Sequence, residues 1–440
     1  MRSYILFLFA LVISLHANAG KKLKVLFIGD SYIYVNNLPQ IIADVAASMG
    51  DTLIFDSYAL GGHGFWQYYV DPLCASKIRS AQWDYVILQE QSQQPSQPTG
   101  DFLSTSYLPA AVLDTMIESN DSCTKTMFYM TWGYENGDSI RCIDYPAWPA
   151  VCTYEGMDSL TRLRYMAYAD TSWLSTVGRI TGSNLIRNSQ VSPVGAVRHY
   201  ILHNYPAIEL YQTDGSHPTE AGSYAGACTF YVALFHNDPV LIPYNYTLSD
   251  TDASNIRTAT KIVAYDSMSY WHIGEYDLRA QFSYVVSAGN TVAFTNASTN
   301  ATTYTWYFGD GNTTTATSPS HTYTIDGIYM VELIAVNAAC NDTSYMAVST
   351  NTTNIENINN SQDFITAPNP ANDRLTISSS RFLSGIYQIR LYNSTGQLVY
   401  THESVANKDQ VIDVAGFNAG LYLISIVNNG TIIYQNKVIK

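Results

Sequence analysis

The sequence has little charge and almost no clustered positive charge. Charged residues make up 13% of the 440 residues, and 22 Lys and Arg against 36 Asp and Glu give a formal net charge of −14. No run rich in Lys or Arg follows Lys21 and Lys22. Because nucleic acids and anionic membranes are bound by clustered cations, the composition argues against both as partners.

Long apolar runs are also scarce. The first extends from Tyr4 to Leu15, follows Arg2, and precedes Ala17-Asn18-Ala19, which has the small-x-small form of a signal peptidase site. This run is shorter than the roughly twenty residues that span a bilayer. We therefore predict a signal peptide at residues 1–19, export of the chain, and no transmembrane segment in the mature protein.

Cysteines are few and lack the paired C-x-x-C spacing of zinc sites. The six cysteines stand at positions 74, 123, 142, 152, 228 and 340. In an exported chain they meet an oxidising environment, in which disulfides form. Cys142 and Cys152 flank a Pro/Trp-rich loop and are the predicted disulfide, whereas Cys228 lies in an apolar helix pattern and is predicted to be a buried thiol.

Residues 22–240 alternate short apolar runs with helical patterns. With 47% hydrophobic residues, the chain has enough apolar side chains for a sizeable core and for two or three domains. The strand-like runs are LKVLFIG (23–29), TLIFDSYAL (52–60), WDYVILQ (83–89) and KTMFYMTWG (125–133). Continuous apolar strands separated by helices predict a parallel sheet covered on both faces, in a three-layer α/β domain spanning 20–240.

The second half of the chain has a different composition and a different hydrophobic pattern. Residues 283–350 are rich in Thr, Asn, Ser and aromatics in period-two alternation, which predicts a small β-sandwich. A polar linker is predicted at 351–362 and a second β-rich unit at 363–440. We interpret residues 241–282 as the end of the first domain and a connector.

Gly29-Asp30-Ser31 directly follows the first predicted strand. In open parallel sheets, ligands bind beyond the carboxyl ends of the strands, so Ser31 stands where a reactive group is expected. A serine needs a neighbouring base to become a nucleophile. The next feature to find is therefore a histidine.

His217 is the best base among the nine histidines, in the stretch TDGSHPTEAGS that begins at residue 213. It follows Asp214 by three residues and precedes a helix pattern over 221–235, with Pro218 suited to the first helical turn. Within such a loop, Asp214 can accept from His217 Nδ1 while Nε2 faces Ser31.

These two end motifs together resemble those of the SGNH, or GDSL-like, hydrolase family. The resemblance covers roughly residues 23–238. It implies a flavodoxin-like α/β/α fold and an esterase that needs no metal or cofactor. It also implies roles for Ser31 as nucleophile, His217 as general base and Asp214 as the acid that orients the base.

The family's middle motifs supply a glycine N–H and an asparagine side chain to the oxyanion hole. In ALGGHGF (59–65) we select Gly62 for the glycine and keep Gly61 and Gly64 as alternatives. LQEQSQQP (88–95) stands where the family has Gly-x-Asn. A glutamine amide can donate the same hydrogen bond, so Gln89 is the first choice and Gln91 the second.

Other residues near the strand ends have less specific roles. The alternative for the oxyanion hole is the amides of Ser31 and Gly62 alone. Asp30 is expected to be structural, either capping a helix near Leu38 or holding the loop. Aromatic side chains expected to line the cleft and stack on a sugar ring are Trp66, Trp132 and Tyr134.

Residues 303–337 resemble a PKD domain. That family carries Trp-x-Phe-Gly-Asp-Gly, Pro-x-His-x-Tyr and Gly-x-Tyr-x-Val. The matching positions are Trp306, Phe308 to Gly311, Pro319, His321, Tyr323, Gly327, Tyr329 and Val331. The resemblance implies a spacer or adhesion module and makes a catalytic His321 improbable.

The last segment resembles the C-terminal sorting domain of the type IX secretion system. It begins with APNPANDRLTI (367–377), continues through YNSTGQLVY (392–400) and ends with GLYLISIVNNGTIIYQNKVIK (420–440). The resemblance implies the secretion machinery as a partner and a secreted or surface location.

The sequence therefore predicts a secreted serine esterase that removes small acyl groups, most plausibly acetyl, from carbohydrates or glycoconjugates. Lipase or thioesterase activity is the alternative within the same class. A non-catalytic surface adhesin or glycan-binding protein is the alternative from another class, and the missing asparagine favours it.

Overall fold

A computed structural model describes residues 21–170, 186, 188–287, 289–338, 340–350, 364–367, 370–371, 373–379, 386–393, 398–405, 410–418, 420–428 and 431–440. The chain divides into two units, Gly20–Asp277 and Leu278–Lys440. The predicted signal peptide (1–19) and the predicted linker (351–362) lie outside the described residues.

Five strands of the first unit form a parallel sheet in the order β2-β1-β3-β4-β5. They are β1 (Lys22–Gly29), β2 (Thr52–Ala59), β3 (Tyr85–Leu88), β4 (Lys125–Tyr129) and β5 (Gln190–Ser192). The last five residues of β1 and all of β3 are buried, as expected for strands covered on both faces. This strand order is the flavodoxin-like one, which confirms the predicted fold class.

Helices connect these strands and continue after β5. They are α1 (Ser31–Tyr34), α2 (Leu38–Ser48), α3 (Phe65–Tyr68), α4 (Pro72–Ile78), α5 (Thr99–Asp101), α6 (Leu108–Asn120), α7 (Ser139–Asp144), α8 (Tyr154–Ala169), α9 (Val194–Asn204), α10 (Glu220–Phe235) and α11 (Asp250–Thr260). Short 3₁₀ segments lie at Val35–Asn37, Gln94–Ser96, Pro149–Cys152, Pro239–Leu241 and Met268–Trp271, and π-helical turns at Phe102–Tyr107 and Lys261–Tyr265.

Two consecutive residues of β4 show the three layers. Phe128 stacks on Tyr168 of α8, with ring centroids 4.5 Å apart, and Tyr129 meets Phe230 of α10 at 5.0 Å. Successive side chains of a strand point to opposite faces of its sheet. Helices α8 and α10 therefore cover opposite faces of the sheet.

The segment predicted as a connector packs into the first unit. Within residues 241–277, Ile242, Ile256 and Trp271 are buried in the same apolar core as the sheet. The first unit accordingly extends to Asp277, so residues 241–277 form the end of the first domain rather than a connector. The polar character of helix α11 concealed this packing, because only a few small or apolar residues of that helix face the core.

The second unit consists of antiparallel sheets around two separate cores. The first pair of sheets contains β6 (Phe282–Ser287), β7 (Thr291–Asn296), β8 (Thr303–Tyr307), β9 (Thr313–Thr314), β10 (Ser320–Thr322), β11 (Ile328–Asn337) and β12 (Cys340–Ser349). The second pair contains β13 (Phe364–Ala367), β14 (Arg374–Ser379), β15 (Ile386–Asn393), β16 (Leu398–Val405), β17 (Gln410–Asp413), β18 (Leu421–Asn428) and β19 (Thr431–Ile439). The predicted pair of β-sandwiches is confirmed.

The cysteine predictions hold where the structure describes them. Cys142 and Cys152 form a disulfide, and Cys228 is a buried free thiol, as is Cys74. Within the part of the chain that the structure describes, no helix combines the length and the hydropathy of a membrane span.

Candidate active site

The site lies at the carboxyl ends of β1 and β3. From β1 the chain passes to β2 on one side of the sheet, and it returns to β3 on the other side. A crevice forms outside such a switch point, and ligands of flavodoxin-like folds bind there. Ser31 follows β1 as the first residue of α1, and residues 89–92 follow β3.

A hydrogen-bonded turn presents Ser31. Asp30 Oδ1 accepts from the amide of Tyr32 at 3.0 Å and caps α1, and the amide of Asp30 donates to Gln89 Oε1 at 2.8 Å. Burial raises the pKa of Asp30 to about 6, against the opposing effect of its hydrogen bond from Tyr32. Asp30 therefore has the structural role that we expected, but on α1 rather than on the helix at Leu38.

Gly29 is required by the close approach of β3 to this turn. A Cβ added at Gly29 would lie 2.5 Å from Gln89 Oε1 and 2.8 Å from Ile33 Cδ1. Both neighbours are buried side chains, so neither has free space to move into. The glycine before Asp30 thus allows β1 and the loop after β3 to meet.

The predicted catalytic side chains come together. Ser31 Oγ lies 2.8 Å from His217 Nε2, and His217 Nδ1 lies 2.5 Å from Asp214 Oδ2. Burial raises the pKa of Asp214, but its hydrogen bonds with the His217 ring and with nearby amides outweigh burial, so the pKa is lowered overall. An ionised Asp214 holds the proton on Nδ1 and leaves Nε2 to accept from the Ser31 hydroxyl.

The loop that carries His217 is anchored from α1 and from the turn after it. Tyr32 Oη hydrogen-bonds Ser216 Oγ at 2.7 Å, and the Tyr32 ring packs at 5.6 Å from the His217 ring, at a steep angle. Asn36 Nδ2 donates to the carbonyl of Pro218 at 3.1 Å. The same short segment that presents the serine therefore also positions the histidine, a relation that the sequence pattern did not reveal.

Trp132 contacts the loop that carries His217 and stabilises it. Its Nε1 donates to the carbonyl of Ser216 at 3.0 Å, and its ring stacks on Tyr32 at 4.4 Å while the Arg198 guanidinium lies 3.9 Å from the ring centre. Trp132 is only 1% exposed. Both ring faces are covered, which corrects the expectation that Trp132 stacks on a sugar.

The backbone N–H groups of Ser31 and Gly62 have no acceptor among the described residues. Gly62 lies in an exposed turn at φ 69°, and a Cβ there would meet nothing within 4 Å, so the turn is open. Free N–H donors beside a nucleophile are what an oxyanion hole requires.

Glu90 joins the glycine loop, which we define as residues 59–65, to the end of β3. Its Oε1 accepts from the amides of Phe65 at 3.0 Å and Gln91 at 2.8 Å, and its Oε2 accepts from the Ser106 hydroxyl. The side chain is fully buried, and burial raises its pKa from 4.5 to about 8. The sequence pattern alone did not indicate a role for Glu90. The available signal was an acid directly after a buried apolar strand.

The two candidate glutamines have different surroundings. Gln89 is fully buried, and its side chain bridges backbone groups, accepting from the Asp30 amide and donating to the Glu90 carbonyl at 2.5 Å. Gln91 is half-buried, with Nε2 at 3.2 Å from Gln93 Oε1. The Gln89 side chain therefore holds backbone groups together, and the side-chain amide of Gln91 is the more accessible of the two.

The two remaining aromatics also differ in exposure. Trp66, on α3 directly after the glycine loop, is 46% exposed. Tyr134 is half-buried, and its hydroxyl lies 2.9 Å from Ser92 Oγ. Of the three aromatics that we assigned to substrate, Trp66 has the most accessible ring.

Family models match two parts of the second unit. Residues 278–352 match the PKD domain, and residues 367–440 match the secretion system C-terminal sorting domain. Both predicted modules are thus confirmed, and the sorting domain indicates export by the type IX machinery to the cell surface or the medium. No curated protein shows a significant match.

Several solved structures are similar to parts of the chain. A DUF4886 family protein from Bacteroides uniformis is 17% identical, with 57% of this chain and 96% of that chain covered and a TM-score of 0.43. A variant of an acetyl xylan esterase from Geobacillus stearothermophilus is 15% identical, with 52% and 99% covered and a TM-score of 0.30. A PKD domain of a Vibrio cholerae metalloprotease is 30% identical, with 17% and 98% covered and a TM-score of 0.16.

Proposed function

We propose that the first unit is a serine ester hydrolase of the SGNH type, acting outside the cell. The observation that carries the proposal is the continuous hydrogen-bonded chain from Ser31 through His217 to Asp214. In the proposed reaction, Ser31 Oγ attacks the ester carbonyl while His217 Nε2 takes the hydroxyl proton. His217 then protonates the departing alcohol, and a water molecule activated by the same nitrogen releases the acid and regenerates Ser31.

The proposed oxyanion hole consists of the amides of Ser31 and Gly62 and the side chain of Gln91. We select Gln91 over Gln89 because Gln89 is fully buried and its amide serves backbone groups. Glu90 supports this arrangement, because its Oε1 accepts from the backbone N–H of Gln91 and from the backbone N–H of Phe65 in the glycine loop. The negative oxygen of the tetrahedral intermediate would meet donors already in place.

The proposed substrate is a carbohydrate or glycoconjugate that carries small acyl groups, with acetyl as the first choice. The exposed Trp66 ring beside the glycine loop supports this choice, because an aromatic face with free access can stack on a sugar. Export places the protein where extracellular glycans occur. Lipase or thioesterase activity is the alternative within the class.

Turnover of p-nitrophenyl acetate tests the hydrolase. We expect Ser31→Ala and His217→Ala each to lower kcat by about 10⁶-fold, because the triad residues act as a unit. Ser80→Ala, at an exposed serine whose hydroxyl bonds the Lys77 carbonyl, is the matched control and should keep full activity. Equal rates in wild type and Ser31→Ala would instead favour a non-catalytic adhesin.

Deacetylation of acetylated xylan tests the substrate class. We expect Trp66→Ala to raise KM for the glycan at least several-fold and to leave turnover of p-nitrophenyl acetate unchanged, because only the glycan reaches the ring. A chain-length series from acetyl to octanoyl esters provides the comparison with a lipase. Preference for octanoyl esters, or no effect of Trp66→Ala on the glycan, would contradict the carbohydrate assignment.

A further inference from the structure

Three side chains on α8 and α9 form a cluster of metal-ligating type. His199 and His203 are four residues apart on α9, so they lie on the same face of the helix. Glu155, in the first turn of α8, faces them, and one ligand atom from each of the three lies within 4.8 Å of the others. None of these residues belongs to the proposed esterase site.

Hydrogen bonds orient both imidazoles. His199 Nδ1 lies 3.1 Å from Asp158 Oδ2 and 3.2 Å from the Tyr154 hydroxyl. His203 Nδ1 lies 2.8 Å from the carbonyl of His199. With Nδ1 of each ring protonated and donating to an oxygen, each Nε2 is a neutral nitrogen with a free lone pair, the form that binds metal ions.

The spacing of one pair of ligand atoms in the cluster fits a tetrahedral ion. His203 Nε2 lies 3.3 Å from Glu155 Oε1. Ligands bound at 2.0–2.1 Å in a tetrahedron lie about 3.3 Å apart. The pair is therefore already at the separation that a shared ion would impose.

We propose that His199, His203 and Glu155 bind one Zn²⁺, with a water molecule as the fourth ligand. Two imidazoles and one carboxylate are a ligand set that zinc accepts. Glu155 and His203 are exposed at the surface and His199 is half-buried, so an ion from solution has direct access. Bound there, the ion would join the first turn of α8 to the last turns of α9.

Asp158 gives the cluster the outer support that zinc sites use. It is fully buried, and its Oδ2 also accepts from Arg162 Nε at 2.8 Å, which fixes the carboxylate. A carboxylate that accepts from the second nitrogen of a metal-binding histidine sets the ring orientation and raises its basicity. Asp158 therefore acts on zinc through His199 and is a positioning residue.

Equilibrium dialysis of the metal-free, untagged chain against Zn²⁺ tests the proposal, with bound zinc measured by elemental mass spectrometry. We expect the wild type to bind one zinc ion that is lost or weakened at least about 100-fold in His203→Ala and in Glu155→Gln. The matched control is His402→Ala, which removes an exposed histidine of the second unit and should leave zinc binding unchanged. Equal zinc affinity in the wild type and both ligand variants would overturn the site.

Cobalt gives a second readout that does not depend on stability. Co²⁺ in place of zinc should give the intense visible absorption of a tetrahedral site in the wild type and lose it in Glu155→Gln, a substitution at an exposed residue. Asp158→Asn should weaken zinc binding by about 10- to 100-fold. An octahedral cobalt spectrum would contradict the tetrahedral site with a single water ligand, and a spectrum unaffected by Glu155→Gln would contradict coordination by Glu155. Hydrolysis of p-nitrophenyl acetate should be the same in Glu155→Gln and wild type, so this test is separate from that of the esterase.

Discussion

At the scale of single residues, Gln91 is the side chain whose proposed role most needs measurement. It is half-buried, and its Nε2 makes only a long bond of 3.2 Å to Gln93 Oε1 among the described contacts. We expect Gln91→Ala to lower kcat by about 10²- to 10³-fold, because that is the typical effect of one oxyanion donor. The thermal midpoint should stay within a few degrees of wild type. Steady-state kinetics with unchanged kcat would remove Gln91 from the oxyanion hole.

Gln89→Ala should reduce stability, because the Gln89 side chain joins the end of β1 to the end of β3. Its loss leaves the buried Asp30 N–H and Glu90 C=O without their side-chain partner, and each such group costs about 1–3 kcal/mol. We therefore expect urea denaturation to show a clear loss of stability that Gln91→Ala does not show. If Gln89→Ala reduced only kcat and left stability intact, the assignment of the two glutamines would have to be exchanged.

The sequence predicted Ser31, Asp214 and His217 and ranked Gln89 ahead of Gln91, an order that the proposed oxyanion hole reverses for a physical reason. Gly-Asp-Ser and Asp-x-x-His combine residue types that are informative at short spacing. In an extended strand Gln89 and Gln91 would face the same way, so alternation could not decide between them, and β3 in fact ends at Leu88. Beyond that residue the backbone direction depends on Glu90 and Ser106, which are neighbours only in the folded chain.

At the scale of elements, the turn between β1 and α1 depends on Gly29. We expect Gly29→Ala to cost about 1–3 kcal/mol, because the added Cβ would press on Gln89 and Ile33 in a packed interior. It should also lower kcat, since the same turn carries Ser31. Gly100→Ala is the matched control: its Cβ would meet nothing within 4 Å, and alanine in place of a helical glycine stabilises by about 0.4–1 kcal/mol. Chemical denaturation of both variants compares their free energies of unfolding. Equal values would contradict a steric requirement for glycine at position 29.

Glu90 joins the glycine loop to the end of β3. Because its carboxyl group is buried, we predict that the stability of the fold depends on pH. Burial raises the pKa of Glu90 in the folded chain from 4.5 to about 8. Between these values the unfolded chain has lost the proton and the folded chain keeps it, so stability falls as pH rises, by roughly 1.4 kcal/mol per pH unit. Burial also raises the pKa of Asp30, to about 6, so Asp30 contributes to this loss of stability only at pH values below about 6.

Glu90→Gln should therefore flatten the stability profile between pH 6 and pH 8. The glutamine oxygen keeps an acceptor for the amides of Phe65 and Gln91. Its Nε2 can only donate, so the Ser106 hydroxyl, which donates to Glu90 Oε2, would turn to accept from it. We expect the variant to lose roughly 2 to 3 kcal/mol less than wild type over this range in urea unfolding. Glu118→Gln, at an exposed glutamate of α6, is the control. Parallel profiles for wild type and Glu90→Gln would contradict the raised pKa.

Some elements were visible in the sequence and others were not. Four strands were predicted because each contains a short apolar run. β5 has only three residues, which is too few to form such a run. Helix α10 begins at Glu220 with Thr219 as its cap, and Pro218 instead pairs with Tyr211 in an isolated bridge, which is a long-range contact that no local pattern contains.

At the scale of the whole molecule, the boundary at Asp277 has a direct consequence. A fragment of residues 20–277 should fold and keep full turnover of p-nitrophenyl acetate, because it contains the complete core of the first unit. A fragment of residues 20–240 should be insoluble or inactive, since it exposes the core surface that Ile256 and Trp271 cover. Expression of both fragments with circular dichroism and kinetics tests this, and an active 20–240 fragment would restore the connector that the sequence suggested.

The most direct measurement of the central claim is labelling with a fluorophosphonate, followed by peptide mass spectrometry. We predict a single phosphonyl adduct on Ser31 Oγ, formed with loss of fluoride as His217 takes the serine proton, and no adduct at that residue in His217→Ala. Labelling at another residue, or equal labelling of Ser31 in wild type and His217→Ala, would contradict an activated nucleophile at the end of β1.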